Sequence, residues 1–307
     1  MEDQTMLAFL SSIPGAAAQG IIWGIMAIGV YITYRILDFA DLTVDGSMAT
    51  GGCVFVTCAL HGTNIYVSIL IAFIAGCLCG LATAILYTLF GIPPILSGIL
   101  TQIALYSVNL DIMGSSNEAI SSNNFNLIVS MRYNERSIVV ALIITAALIA
   151  VLYWFFGTEM GHSIRATGNN ENMAKANGIN TKANAVIALV LSNGIVALSG
   201  ALLAQYQGYA DVNMSRGAIV TGLAAVIIGE VVFGKIFKNF ALRLTAVVIG
   251  GIIYNIVISL VVSMGLPSSD LKLFTALVVA IFLGVPFWKN NISAKRVKRV
   301  EGGAENA

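Results

Sequence analysis

Ile65-Tyr66-Val67-Ser68-Ile69-Leu70-Ile71-Ala72-Phe73-Ile74-Ala75-Gly76-Cys77-Leu78-Cys79-Gly80-Leu81-Ala82-Thr83-Ala84-Ile85-Leu86-Tyr87-Thr88-Leu89-Phe90 carries no charged side chain. At a rise of about 1.5 Å per residue, a helix of this length crosses the roughly 30 Å hydrocarbon core of a bilayer. Eight further apolar runs flank it, at 13–34, 48–60, 94–113, 137–157, 184–206, 218–233, 241–264 and 272–288. The 307 residues are 58% hydrophobic and 10% charged, with a mean hydropathy of +0.88. Soluble domains carry about 25% charged residues, so a water-soluble enzyme is excluded. Ten-residue alternating segments, the mark of a membrane β-barrel, are missing. The fold class is therefore all-α, a polytopic transmembrane bundle of about 8–9 spans. Residues 1–288 form a single membrane domain and 289–307 a basic tail.

Net charge is +1, so no global basic field points to nucleic acid. Cys53, Cys58, Cys77 and Cys79 lie inside apolar runs and have no metal-ligand spacing with His61 or His162, which reads as buried thiols. The opening Met1-Glu2-Asp3 has no positive region before its apolar run, so no cleavable signal peptide is expected. Lysine and arginine are unevenly placed. Lys289, Lys295, Arg296, Lys298 and Arg299 crowd the tail, Lys235, Lys238 and Arg243 the loop before 241–264, Arg165, Lys175 and Lys182 the 158–183 stretch, and Arg35 ends the first run. With the tail in the cytoplasm, these twelve of the sixteen basic residues fall inside. Arg132, Arg136, Arg216 and Lys272 fall outside, as the positive-inside tendency requires. A multi-pass plasma (inner) membrane protein with a cytoplasmic C-terminus is expected.

Two runs are short. Segments 48–60 and 218–233 fall below the about 20 residues of a straight span, and each follows a related string, Phe39-Ala40-Asp41-Leu42 and Tyr209-Ala210-Asp211-Val212. Paired short or interrupted helices point to a midplane transport site. Asp41 and Asp45 stand four apart beside Gly46, Gly51 and Gly52; like charges at that spacing repel, which favours an unwound, hydrated turn lining a cavity. The expected translocation path runs beside Asp41, Thr43, Asp45 and Ser47, with Asn213, Ser215 and Thr221 near its outer mouth.

Other motifs carry less chemistry. Gly229 to Lys235 fits G-x-x-x-x-G-K, but Ile236 follows where a phosphate loop needs Ser or Thr, so the chain does not hydrolyse ATP itself. No hydrolase or metalloprotease signature occurs. Asp111 and Glu230, near helix ends, read as interfacial anchors. Gly20-x-x-x-Gly24 and Gly76-x-x-x-Gly80 permit close helix approach, and Gly91-Ile92-Pro93-Pro94 breaks the chain between two spans.

The 158–183 stretch is the most specific. From Gly161 to Asn180 it reads as a short helix over about 170–177, capped by Asn170 and ended by Gly178 at C′. Such a charged helix clasped between two spans is a docking knob. Its pattern resembles the cytoplasmic coupling segment of permease subunits in the branched-chain amino acid and ribose permease superfamily of ABC importers. Arg165, Ala166, Gly168, Asn170, Ala174, Gly178, Ile179 and Asn180 match, behind Gly161; His162 and Asn169 depart from the usual Arg and Gly. Asp41 to Gly46 is similar to the sugar branch, Asp38-Phe39-Ala40 to the amino-acid branch, and Ala224 to Gly229 to a downstream family segment.

The resemblance implies a subunit that forms the translocation path of an ATP-driven importer and binds no cofactor itself. ATP and magnesium sit on partner ATPase subunits docked at Gly161, Arg165, Ala166, Gly168, Asn170, Ala174, Gly178, Ile179 and Asn180. An extracytoplasmic binding protein or lipoprotein delivers substrate, and a second permease copy completes a homodimer. The sparsely charged path suits a hydrophobic, branched-chain or aromatic amino acid. A sugar or nucleoside is the alternative, and an ion-coupled secondary transporter is the rival from another class.

Overall fold

The computed structural model describes residues 2–120, 125, 127–234, 236–263, 273–277, 279–281 and 284, with side chains from Leu10 onward. The basic tail, Lys235, Lys272 and about half of the 272–288 run lie outside the described residues. The chain is a helical bundle: α1 (Glu2–Tyr31), α2 (Thr43–Leu60), α3 (Ile65–Thr88), α4 (Pro94–Met113), α5 (Asn134–Phe156), α6 (Glu159–Asn169), α7 (Glu171–Ala176), α8 (Thr181–Gln207), α9 (Ala218–Phe233) and α10 (Phe240–Ser263). Seven helices among the described residues are long and apolar enough to cross a membrane; α9 is shorter. Among the described residues the only departure from all-α is a two-stranded antiparallel ribbon, β1 (Asn117–Ala119) against β2 (Tyr209–Asp211), with Glu118 opposite Ala210. It joins the 114–136 stretch to the second of the two related strings, at the end of α8 remote from α6 and α7.

Helices α1, α2 and α8 form the centre, with 72%, 78% and 72% of their apolar windows buried, against 17% for α5 at the periphery. Small residues set the spacing. A Cβ on Gly20 or Gly24 would press on the backbone of Ile252 or Val248 in α10, and one on Gly76 or Gly80 would strike the carbonyls of Asn193 or Leu189 in α8. Both small-residue spacings are therefore packing faces. Gly51 and Gly200 are the tightest pair, since a Cβ on either would land on the carbonyl of Ala197 or Met48 across the α2–α8 interface.

The second apolar segment starts earlier than its hydropathy suggests. Asp41 Oδ1 accepts the Thr43 N–H at 2.9 Å, satisfying an orphan donor as an N-cap does, so α2 begins at Thr43. It reaches 18 residues, enough to cross; the expected unwound turn at Asp41 and Asp45 is confined to the residues before Thr43, and Asp45 lies in the first helical turn. Asp41 is 2% exposed, its other oxygen taking Asn193 Nδ2 of α8 at 2.7 Å, while Ser47 Oγ donates to Asn193 Oδ1 at 2.6 Å. Thr43, Thr83 and Thr101 link α2, α3 and α4 through hydroxyl contacts of 2.6 and 2.9 Å. Paired this way, the polar groups can stay inside the bundle.

Helix α9 remains a short helix, and it starts against the side of α2. Its N-cap, Gly217, has no side chain to offer. The carboxylate of Asp45 substitutes from across the interface: Oδ2 accepts Gly217 N–H and Oδ1 accepts Ile219 N–H, both at 2.9 Å. Ser215 Oγ donates to the Asp45 main-chain carbonyl. One carboxylate thus sits at the positive ends of two helix dipoles, its own and that of α9.

These contacts predict two stability effects, read as thermal unfolding of the purified protein in detergent. Gly200→Val should destabilise by about 3 kcal/mol, the upper range for overpacking. Gly15→Ala should be neutral or mildly stabilising, because its Cβ would meet Tyr206 Oη at an ordinary 3.5 Å. Asp45→Ala, which leaves two backbone donors of α9 bare, should cost about 3 kcal/mol or more, and Asp45→Asn roughly half of that.

Candidate functional site

Where the starts of α2 and α9 meet, α4 stands off and leaves a cavity of about 340 Å³. This is within the usual range for small-molecule pockets. Asp45 lines it, with Asn213 and Ser215 from the segment leading into α9, and Gln102, Tyr106 and Asn109 from α4. The three expected path residues Asp41, Thr43 and Ser47 do not line it: each is buried in the network described above. Thr221, a turn into α9, interacts with Tyr254 of α10 rather than with the cavity.

The cavity holds polar capacity that the protein leaves unused. The Oδ1 atoms of Asn109 and Asn213 are buried without a hydrogen-bond partner, and Asn109 is 1% exposed. Buried polar atoms are nearly always paired, so such exceptions need a reason. A carboxamide presents a polar group whichever way it is turned, so the two residues can receive donors or acceptors of a bound molecule. The Asp45 carboxylate is already committed to α9. Arg216 supplies an exposed cation at one side and Tyr106 an aromatic ring at another. The α4 contribution escaped hydropathy reading, although Gln102, Tyr106 and Asn109 fall at i, i+4 and i+7 of an otherwise apolar run, which is one helical stripe.

The second candidate site lies at the opposite end of α8. Asn170 caps α7 by accepting Met173 N–H at 2.9 Å. Gly178 has φ +79°, and the C-terminus closes with Gly178 N–H to the Lys175 carbonyl and Ile179 N–H to the Ala174 carbonyl, both 3.0 Å. This is the Schellman closure, and Ala174 packs inward beneath it. Asn180 then caps α8 through Ala183 N–H at 3.1 Å. The outward residues Asn172, Met173, Lys175 and Asn177 are exposed. Lys175 beside Glu171, at 2.8 Å, holds that carboxyl below its usual range.

A longer helix, α6, precedes this knob and was not anticipated from the sequence. Thr158 caps it, its hydroxyl accepting Gly161 N–H at 3.4 Å, and the Thr158-Glu159 start was its one local signal. Asn184 of α8 ties it down, donating to Ser163 and Thr167 at 2.8 Å each. Gly161 abuts the backbone of Phe156, and Gly168 abuts the Ile36 carbonyl in a π-helical turn, Ile32–Ile36, that ends α1. Arg165 lies over the Phe240 ring at 4.4 Å, and burial lowers its pKa from the ordinary value. Ala166 is half-buried. Glu230 anchors α9 to the same end by pairing with Arg35 at 3.0 Å.

The chain matches, over residues 12–286, the family described as branched-chain amino acid transport system / permease component. It is 40% identical to a tyrosine transport system permease protein of Clostridioides difficile, over 94% of this chain and 95% of the relative. An uncharacterized protein of Rickettsia prowazekii, RP368, is 33% identical over 87% of this chain and 95% of its own. The galactose/methyl galactoside import permease protein MglC of Haemophilus influenzae is 28% identical over 62% of this chain and 56% of its own. A multi-pass helical bundle matched along nearly its whole length in this way belongs to the permease family of branched-chain amino acid transport systems.

Proposed function

We propose that this permease forms the translocation path of an ATP-driven importer for aromatic or other hydrophobic amino acids, with the α2–α4–α9 cavity as its substrate site. The observation that carries this reading is the pair of unpartnered amide oxygens, of Asn109 and Asn213, at one cavity with Arg216 and Tyr106. A zwitterionic amino acid needs acceptors for its ammonium and a cation for its carboxylate, and a flat ring can lie along Tyr106. The name of the Clostridioides difficile relative supports the substrate class.

In this reading the α6–α7 face is cytoplasmic. Arg35, Arg165, Lys175, Lys182, Lys238 and Arg243 gather at that end, which accords with the positive-inside tendency. ATPase subunits carrying ATP and magnesium dock on Asn170 to Asn180, with Gly161, Arg165, Ala166 and Gly168 fixing the knob to α1, α5 and α10. Their closure rocks α6 against the end of α1. An extracytoplasmic binding protein loads the opposite face, and a second copy of the chain completes the pore. The occluding element is the start of α9, since Asp45 lets this 16-residue helix begin at the cavity.

The substrate assignment is tested with the full complex, ATPase and binding protein included, in liposomes. Tyrosine uptake should be ATP-dependent and galactose uptake absent, and Asn109→Leu should raise the apparent KM for tyrosine about tenfold, the value of one charge-assisted hydrogen bond. Galactose uptake without tyrosine uptake would refute the substrate class. The docking role is tested with Gly178→Val, which forces a β-branched residue into αL at about 1 kcal/mol or more. Membrane insertion should be normal while uptake and substrate-stimulated ATP hydrolysis fall together; full stimulation would remove the role given to this knob.

A further inference from the structure

Outside both sites, helices α5 and α10 splay apart and leave a groove of about 440 Å³ on the periphery of the bundle. Its walls come from Leu142, Ala146 and Ile149 of α5 and Val248 and Ile252 of α10. The hydroxyls that reach it make no demand on an occupant, because Thr145 donates to Ala141 O at 2.7 Å and Thr245 to Ala241 O at 3.0 Å within their own helices. From Leu142 to Tyr153 the groove runs about 17 Å along the helix axis, close to one leaflet's share, about 15 Å, of the hydrocarbon core.

Tyr153 ends this groove and opens a second cavity of about 550 Å³, lined by Trp154, Arg165, Lys238 and Asn239. Among the described residues no carboxylate lines this second cavity. Among the described residues, Lys238 and Arg165 make no ion pair, and Arg165 is held in place by the Phe240 and Phe156 rings at 4.4 and 5.4 Å. Trp154 is 71% exposed and Tyr153 51%. Exposed Trp and Tyr at a helix end mark the headgroup level of a membrane, so the two cations stand at the depth of lipid phosphates.

We infer that the α5–α10 groove is a binding site for an anionic glycerophospholipid, one acyl chain lying between α5 and α10 and the phosphate meeting Lys238 and Arg165. Three observations agree on that occupant: a dry groove of one-leaflet length, an aromatic marker of interface depth at its end, and uncompensated positive charge just beyond. Basic pockets between membrane helices favour anionic headgroups. The inference does not depend on the substrate reading, since the groove shares no residue with the α2–α4–α9 cavity.

The test is native mass spectrometry of the delipidated full complex, titrated separately with phosphatidylglycerol and phosphatidylcholine. Phosphatidylglycerol should be retained, one per permease chain, at lower concentration than phosphatidylcholine. Lys238→Glu should weaken its retention at least about fivefold, the effect of one basic residue near an anionic surface. Ala146→Phe, an exposed position that fills the groove, should reduce retention of both lipids. Arg136→Glu, an exposed charge reversal at the other end of α5, should leave retention unchanged. Equal retention of the two lipids, indifference to Lys238→Glu, or an equal loss with Arg136→Glu would overturn the site. A photo-crosslinker at position 146 should yield lipid adducts in membranes; protein adducts instead would show that the groove seats a second copy or a partner helix.

Discussion

A helix that begins inside a membrane protein exposes backbone N–H groups where water is not at hand, and each bare group costs several kcal/mol in hydrocarbon. The Asp45 carboxylate meets that demand for α9, accepting from Gly217 and Ile219 while seated in the first turn of α2. Much of the remaining arrangement depends on this contact. It fixes the chain from β2 down to Gly217 against α2, where a Cβ on Gly52 would press on the Met214 sulfur. It also leaves α9 at 16 residues, and the space that a full-length helix would fill becomes the cavity beside α4. Asp41 does the matching task on α2 itself by capping Thr43, so both acidic residues of this turn hold helix starts.

The spans, the break at Gly91 to Pro94 and the closure at Gly178 were legible because each depends on neighbouring residues: charge-free length, fixed φ, and an αL position that only glycine takes without strain. The 20/24 and 76/80 glycine pairs were legible as packing faces for the same reason. What escaped reading is nonlocal. Asp41 meets Asn193 across 152 positions and Asp45 meets Gly217 across 172, so two residues that looked like a repelling, hydrated pair are each hydrogen-bonded by a distant part of the chain. The early start of α2 follows from that pairing and not from hydropathy. Helix α6 is amphipathic over only three turns, too short for an apolar pattern to stand out from a polar stretch. The α4 stripe of Gln102, Tyr106 and Asn109 was present in the sequence but diluted among apolar neighbours.

Polar residues in this bundle divide by how they are satisfied. Thr145 and Thr245 turn back on their own helices and face an apolar groove. Asn193, Ser47 and the Thr43–Thr83–Thr101 group knit helices together and face nothing. Asn109 and Asn213 remain incomplete at a cavity. Burial alone does not separate these classes, since most of them are below a tenth exposed. The unfilled hydrogen-bonding capacity does, and it is what distinguishes a binding surface from a scaffold here.

The junction between Gly168 and Ile36 has a mechanical side. Main chain rests on main chain there, with no side chain between α6 and the π turn of α1. Side chains act as springs at most interfaces, because a rotamer change absorbs a small displacement before the backbone feels it. This junction has no such compliance. A push on α6 reaches the last turn of α1 undamped, and the six residues 37–42 are all that separate that turn from the start of α2. The joint is stiff on one side and short on the other, so the geometry favours an all-or-none movement of the helix start over a graded one.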